Sequence, residues 1–367
     1  MHYFTFAEKD TTIYQNSGSL NAGLDEIIEV RKEVSDTGDT VNVSRILIKF
    51  NLSTVSASVV DGTITNPKYY LNLYDAHPTA LATSQSLYAY PISGSWIMGD
   101  GRSYDNPITD EGASWKFKDG STAGTLWGNE VSSSGGAWYS GSLYEASMSL
   151  GHETKDIRMN VTDIVNKWLT KTVPNEGFIV KRKGHVGNLD SGSDEGSTDR
   201  YGHLSFFSSD THTKYPPTLE TVWNDSKWDT GSLSPITGSD IEDMVLYMKG
   251  LRRDYKEKSK ARFRVVGRER FPTKTYSTTP ANLSVKTLPS GSSFYSIIDA
   301  ETNDVIVPYG TGSYLSCDGN GNYFNLWLDG YQPERYYRIE YRIRSGSGTV
   351  DEIDQYFDEG FTFKVSL

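Results

Sequence analysis

Apolar and polar residues alternate in short runs along this chain, and this pattern most constrains its fold. Alternation with period two places every second side chain on one face of a β-strand. Such runs are found at 11–15, 27–30, 46–50, 70–74, 87–90, 157–161, 178–181, 204–207, 219–223, 244–248, 263–266, 294–298, 305–307, 323–328, 336–343 and 361–365. Helical patterns do not alternate with them, which excludes a doubly wound sheet and predicts an all-β protein made of β-sandwiches.

One short helix is predicted near 161–169. The pairs Ile164/Trp168 and Val165/Leu169 are four residues apart and therefore share a helix face. Asn160 or Thr162 is suited to cap the start of this helix. Elsewhere a composition of 34 Gly, 24 Tyr and 8 Trp favours strands and turns.

Length and charge divide the chain into two predicted domains. A chain of 367 residues is long enough for two cores. Residues 1–240 hold 19 Lys and Arg against 30 Asp and Glu, whereas 241–367 hold 17 of each. Together with a polar, Gly- and Ser-rich stretch, this predicts a jelly-roll-like sandwich at 1–223, a linker at 224–240 and a smaller immunoglobulin-like sandwich at 241–367.

The sequence also limits where the protein is expected to work. It starts at Met1 without the basic and apolar segments of a secretory signal, and no apolar run is long enough to cross a membrane. The single cysteine, Cys317, cannot form an intrachain disulfide. These features predict assembly in a reducing host cytoplasm and release by lysis. The acidic balance argues against a nucleic-acid partner.

The first 223 residues resemble the DNRLRE-type β-sandwich domains, which include carbohydrate-binding modules of surface proteins. The resemblance depends on the order and spacing of several segments. These are 10–14, 44–53, 112–115, 160–168, 175–180, 207–209 and 215–220. It implies a non-enzymatic sandwich in the first domain.

The second domain resembles a region of structural proteins from tailed bacteriophages, especially marine contractile-tailed ones. The segments that carry this likeness are 268–275, 293–300, 318–324 and 333–339. The resemblance implies a component of the virion, located in the neck, collar, tail or baseplate.

Patterns typical of catalytic and metal sites are missing from the sequence. Its six histidines have no metal-like spacing, and neither a nucleophile elbow nor a phosphate-binding loop is found. The sequence therefore predicts no enzyme activity, no cofactor and no metal. The alternative is glycoside hydrolysis by a pair of carboxylates, whose geometry is not visible in a sequence. An alternative for the acidic loop is Ca²⁺ binding by Asp190, Asp194, Glu195 and Asp199.

A basic stretch at 249–274 is the first candidate interaction site. It carries 11 Lys and Arg against 3 Asp and Glu, and its arginines alternate with apolar residues on a predicted strand. This pattern indicates a docking face for an acidic neighbour; the alternative is a solvated strand and hairpin that protects a sheet edge. Arginine and tyrosine are the residue types that protein interfaces favour. The predicted interface residues are Arg252, Arg253, Arg262, Arg264, Arg268, Arg335, Tyr336, Tyr337 and Arg338.

Tryptophans in the long, turn-rich segment 93–143 are the second candidate. Trp96, Trp127 and Trp138 are a candidate stacking platform for sugar rings; their alternative role is to anchor loops to the sandwich. The sequence thus predicts a multi-copy or homo-oligomeric virion structural protein that binds other virion proteins. The alternative function is an adhesin that recognises a host glycan.

Overall fold

The computed structural model describes residues 1–36, 41–77, 84–120, 124–128, 135–151, 156–184, 194–236, 243–272, 276, 278, 284–345 and 353–367. The fold is mostly β, as predicted, and the described chain contains two α-helices. It divides into two compact units. The N-terminal unit comprises 5–57 and 68–220, and the C-terminal unit comprises 1–4, 58–67 and 221–367.

Ten strands form one large antiparallel sheet. They are β1 (His2–Tyr14), β2 (Ile27–Val34), β3 (Val41–Phe50), β4 (Lys68–Leu73), β5 (Ser84–Pro91), β6 (Ala146–Gly151), β7 (Ile157–Asn160), β8 (Phe178–Lys181), β9 (Gly202–Phe207) and β10 (Thr218–Val222). Eight of them follow the order β6-β5-β8-β3-β1-β10-β4-β7, while β2 pairs with β3 and β9. The two strands at opposite ends of this order, β6 and β7, follow each other directly in the chain. The sheet is therefore barrel-like and nearly closed.

Strand β3 shows why this sheet forms. Its side chains Ile46, Leu47 and Ile48 are all buried, so both faces of the strand are covered. An apolar run buried on both faces is typical of a strand in the middle of a sheet. Accordingly β3 pairs with β1 on one side and with β8 on the other.

The predicted helix is confirmed as α2 (Thr162–Leu169). The Asn160 side chain accepts hydrogen bonds from the backbone N–H of Thr162 at 3.1 Å and from its hydroxyl at 2.7 Å. Trp168 is buried, and its ring centroid lies 4.6 Å from that of Phe178 on β8. The tryptophan therefore attaches the helix to the sheet.

The prediction of a single helix is wrong, because a second one, α1, covers Ser53–Val60. Its sequence, rich in valine, serine and threonine, has the composition of a strand. The helix nevertheless begins where the Asn51 side chain accepts a hydrogen bond from the N–H of Ser53 at 3.0 Å. Fully buried Val55 fixes its inner face. Neither helix in the described part of the chain has the length and apolar character needed to span a bilayer.

Two further sheets form the C-terminal unit. Their strands are β11 (Met244–Lys249), β12 (Asp254–Lys256), β13 (Lys260–Glu269), β14 (Ser293–Asp299), β15 (Val305–Val307), β16 (Ser316–Asp318), β17 (Gly321–Trp327), β18 (Arg335–Ser345) and β19 (Ile353–Ser366). The four-stranded sheet has the order β11-β13-β17-β16, and the five-stranded sheet has the order β12-β19-β18-β14-β15. Strand β12 pairs in parallel with β19.

One hydrophobic core joins these two sheets. It contains side chains from both, and aromatic rings meet across it. The centroids of Tyr295 on β14 and Phe324 on β17 are 4.0 Å apart and stacked. Those of Phe263 on β13 and Phe363 on β19 are 5.0 Å apart. Because β18 alternates strictly between buried and partly exposed residues from Tyr337 to Ile343, one of its faces supplies this core and the other faces outward.

Part of the predicted linker is packed and is not a free connector. Trp228 forms an isolated bridge with Cys317, and Pro235 forms one with Thr287. Ile236 is buried in the core of the C-terminal unit. Residues 237–240 of the predicted linker lie outside the described residues. The predicted domain limits at 223 and 240 otherwise stay a prediction.

Candidate interaction surface

The predicted interface arginines of β13 share one strand face, as the alternation indicated. Arg262 and Arg264 point outward, whereas Phe263 and Val265 are buried. Both arginines have acidic or polar partners nearby. Arg264 forms a bidentate pair with Asp318 at 2.8 and 2.7 Å, and Arg262 lies 3.8 Å from the same carboxylate. Their positive charge is thus partly neutralised within the chain.

The predicted residues of β18 lie on the other sheet. Arg335 forms a bidentate pair with Asp299 at 2.8 and 3.0 Å. Arg338 lies 3.0 Å from Glu340. Tyr337 is only 3% exposed and belongs to the core, so it is not a surface contact residue.

The remaining predicted interface residues are dispersed. Arg253 donates a long hydrogen bond of 3.4 Å to the hydroxyl of Tyr336. Arg252 is exposed, and Arg268 donates to the carbonyl of Glu269 at 3.1 Å. The nine predicted residues therefore do not form one uncompensated basic surface.

A different surface stands out on the outer side of the five-stranded sheet. We call it the Arg342 face, and it consists of Phe294, Tyr309, Glu340, Arg342 and Tyr356. Strand pairing places Phe294 opposite Arg342, and Arg342 opposite Tyr356. Three adjacent strands, β14, β18 and β19, therefore supply one row of side chains.

Aromatic rings surround the guanidinium group of this face. The Arg342 Cζ lies 4.5 Å from the ring centroid of Phe294 and 5.1 Å from that of Tyr309. Tyr309 contacts Tyr356 edge-to-face at 5.7 Å, and the Tyr309 hydroxyl donates to Glu340 at 3.5 Å. Stacking of this kind fixes an arginine while leaving its donors oriented.

Part of the Arg342 face is exposed and available for contact with another molecule. Tyr356 is 63% exposed. The Arg342 Nη1 lies 3.8 Å from Asp354, too far for a strong hydrogen bond, whereas the Nε is buried, lacks a hydrogen-bond partner among the described residues and is closed to a neighbouring protein. A fixed arginine between aromatic rings, beside an exposed tyrosine, is suited to contact another macromolecule.

Sequence reasoning missed this surface, although one signal was present. Outward-pointing Arg338, Glu340, Arg342 and Arg344 alternate with buried residues on β18. Tyr309 and Tyr356 reach the same face from separate parts of the chain. No local pattern reveals their approach to Arg342.

The candidate tryptophans do not present a free stacking surface. Trp96 is 3% exposed and Trp127 is 1% exposed, and both belong to one core cluster of the N-terminal unit. Their indole N–H groups donate to main-chain carbonyls, Trp96 to Glu176 at 2.9 Å and Trp127 to Ser114 at 2.8 Å. These two residues therefore anchor loops, which was the alternative considered from the sequence.

Trp138 is half-buried and covers a cluster of buried charges. Its ring centroid lies 5.1 Å from the Arg45 guanidinium and 4.9 Å from the Lys181 ammonium. Glu195 contacts both cations, with Arg45 at 2.5 Å and Lys181 at 3.4 Å. Burial lowers the pKa of Lys181 to about 8, although the nearby Glu195 carboxylate acts in the opposite direction.

This cluster changes the interpretation of the acidic loop. Glu195 is held by two cations, and Asp194 accepts a hydrogen bond from the Tyr201 hydroxyl at 3.1 Å. Asp199 is exposed, and Asp190 lies outside the described residues. Within the described ranges, no three His, Cys, Asp or Glu side chains are grouped as metal ligands. Glu195 instead holds the loop to strands β3 and β8, and the hydrogen bond between Asp194 and Tyr201 lies within the loop.

Cys317 lies in an environment that suppresses thiol reactivity. The side chain is buried on β16. Burial and the neighbouring carboxylate of Asp318 raise the pKa of its thiol to about 11. Since the thiolate is the nucleophile, Cys317 is mostly protonated and inert near pH 7.

Comparison with known proteins adds no family to these observations. No protein-family model matches the chain. A search of curated proteins likewise finds no matching relative.

Proposed function

We propose that this chain is a non-enzymatic structural protein of a tailed-phage virion, which acts by binding neighbouring proteins of the neck, collar, tail or baseplate. The Arg342 face is the observation that supports this proposal best. It combines an ordered arginine, three aromatic rings and the exposed side chain of Tyr356 on a sheet that is stiff because it shares a large core. Interfaces are enriched in arginine and tyrosine for these same properties.

We also propose that both predicted domains are β-sandwiches, jelly-roll-like in the first 223 residues and immunoglobulin-like in 241–367. The core shared by the two C-terminal sheets supports the second assignment. Rigid sandwiches hold their outer faces in place, and such faces suit the repeated contacts of a particle.

The proposal can be tested on particles from the lysate in which the chain is produced. We expect mass spectrometry of gradient-purified particles to detect this chain in several copies per virion. Absence of the chain from intact particles would contradict the function itself.

The role of the Arg342 face needs variants. We expect Tyr356→Ala to reduce incorporation of the tagged protein at least tenfold without changing its melting temperature. Arg342→Ala should reduce incorporation as much but also lower the melting temperature, because the Arg342 side chain is only 15% exposed and packs on Phe294. Tyr104→Ala is the matched control, since Tyr104 is 73% exposed in the N-terminal unit. Equal incorporation of all variants would remove the face from the proposal but leave the virion location intact.

A second candidate function, glycan binding, is favoured by one cleft. A polar depression of about 400 Å³ in the N-terminal unit is lined by backbone and side chains of Lys68, Glu145, Ala146, Ser147, Asn160, Val161, Thr162, Asp163 and Ile164. Hydroxyl, amide, carboxylate and ammonium groups together suit the hydroxyls of a sugar. Calorimetry with host surface polysaccharide separates the two functions, because saturable binding that is lost in Asn160→Ala would favour the adhesin.

A further inference from the structure

Strand β19 has a neighbouring strand along only one of its two edges over residues 353–357. This stretch pairs with 341–345 of β18. On the opposite side, β12 pairs with 364–366 and leaves 353–357 uncovered. Among the described residues, no main-chain hydrogen bond or bridge joins 353–357 to a segment other than β18. We call residues 353–357 the open edge.

The neighbouring strand β18 turns its main-chain groups alternately toward β14 and β19, as in any antiparallel sheet. The N–H of Arg344 donates to the carbonyl of Ser292 at 2.8 Å, and the N–H of Ala300 donates to the carbonyl of Tyr336 at 3.0 Å. Both bonds follow the register of β14 with β18. The even-numbered residues of β18 therefore point their N–H and C=O groups toward β14, and the odd-numbered residues point theirs toward β19.

This alternation determines which groups of the open edge point outward. Residues 341, 343 and 345 of β18 stand opposite 357, 355 and 353 of β19, so these pairs exchange the main-chain hydrogen bonds. The N–H and C=O groups of Asp354 and Tyr356 consequently point away from β18. Ile353 is 47% exposed and Tyr356 is 63% exposed, so solvent reaches this part of the strand.

The open edge lacks the residues that commonly prevent an edge strand from pairing. It contains neither lysine nor proline, and the irregularity in the pairing of β18 with β19 comes only after Phe357. An exposed edge of this kind is a template for β-augmentation, in which an extended segment of another chain adds to the sheet as a further strand.

Charges along β19 indicate which kind of segment fits. Asp354 and Asp358 lie two residues to either side of Tyr356, and their side chains are 25% and 49% exposed. A second copy of this chain would bring the same acidic residues to the edge, and like charges opposite each other destabilise a strand pair. Lysine or arginine on the added strand would be attracted to these carboxylates.

We propose that the open edge binds an extended segment of another virion protein as an added β-strand, with basic side chains opposite Asp354 and Asp358 and an apolar side chain against Tyr356. This inference rests on the proposed virion function and specifies how the Arg342 face meets its partner. The outward main-chain groups of Asp354 and Tyr356 supply hydrogen bonds to the added strand, and the side chains supply specificity.

A proline at position 354 tests the main chain separately from the side chain. Proline removes the outward N–H of this residue but no hydrogen bond to β18, and edge strands tolerate it at such positions. Asp354→Ala is the matched control, since both variants lose the ion pair with Arg344. We expect Asp354→Ala to lower incorporation of the tagged full chain into purified particles less than threefold, and Asp354→Pro to lower it at least tenfold at an equal melting temperature.

Hydrogen exchange of the wild type keeps the test valid if Asp354→Pro fails to fold. In the free chain we expect the amides of Asp354 and Tyr356 to exchange rapidly, and those of Gln355 and Phe357 to be protected. In purified particles the amides of Asp354 and Tyr356 should exchange at least tenfold more slowly than in the free chain.

Three outcomes would overturn the added strand. The first is equal incorporation of Asp354→Pro and Asp354→Ala, and the second is exchange at Asp354 and Tyr356 that is as fast in particles as in the free chain; both leave the virion function intact. The third is a dimer of the free chain that protects these two amides, which assigns the open edge to a second copy. Absence of the wild type from particles instead removes the proposed function, and this inference with it.

Discussion

Arg45 and Glu195, which are 150 residues apart in the chain, form a fully buried bidentate ion pair. The Nε and Nη2 atoms of Arg45 lie 3.0 and 2.5 Å from the two carboxylate oxygens. The side chains are 0% and 1% exposed. The pair connects β3 at the middle of the large sheet to the loop before β9.

Removal of one partner of this pair should destabilise the N-terminal unit strongly. Glu195→Gln leaves Arg45 and Lys181 buried without their carboxylate, and loss of one partner of a buried pair costs about 3–5 kcal/mol. Urea unfolding measures the free energy. The free energy of unfolding should fall less in the double variant Arg45→Met/Glu195→Leu than in Glu195→Gln alone. A larger fall in the double variant would contradict this account.

Lys181 should make stability depend on alkaline pH. The pKa of its ammonium group is about 8 in the folded protein, against an ordinary value of 10.5 when the side chain is in water. Between these values the unfolded chain binds more protons, so this group's contribution favours folding increasingly as pH rises from about 8 to 10.5. Over this pH range the free energy of unfolding of the wild type, relative to that of Lys181→Met, should rise by on the order of 1–3 kcal/mol. Parallel urea titrations at several pH values measure it, and a constant difference between the two proteins would refute the shift.

Trp127→Ala should act on stability and not on ligand binding. The ring is 1% exposed in a cluster with Trp96 and Trp115, so truncation leaves a large cavity and costs about 3–5 kcal/mol. Thermal unfolding reports this loss. Unchanged stability together with lost polysaccharide binding would restore the stacking platform predicted from the sequence.

Cys317 should react with a thiol reagent only when the protein unfolds. Its burial and its raised pKa both reduce the amount of accessible thiolate at pH 7. We expect modification by a disulfide reagent to be slow in buffer and complete within minutes in concentrated guanidinium. Fast labelling of the native protein would show that β16 opens or that the thiol is exposed.

The strands could be predicted because their signal is local. Alternation along β18 and the uninterrupted apolar run of β3 directly reflect one-sided and two-sided burial. Strand β6 was missed because its sequence of Ala, Ser, Met, Leu and Gly has weak strand propensity. Its hydrogen-bonded pairing with β5 stabilises the extended conformation instead. Helix α1 was missed for the opposite reason, since its valines favour a strand.

The sequence by itself determined that the fold is mostly β, and it determined most strands, helix α2 and the common face of Arg262 and Arg264. All of these depend on neighbours within a few residues. Only the tertiary structure decided which tryptophans are buried, that Arg45 meets Glu195, and that Tyr309 and Tyr356 gather around Arg342. Those outcomes depend on strand pairing between distant segments, where burial and charge compensation are set by partners that no local pattern identifies.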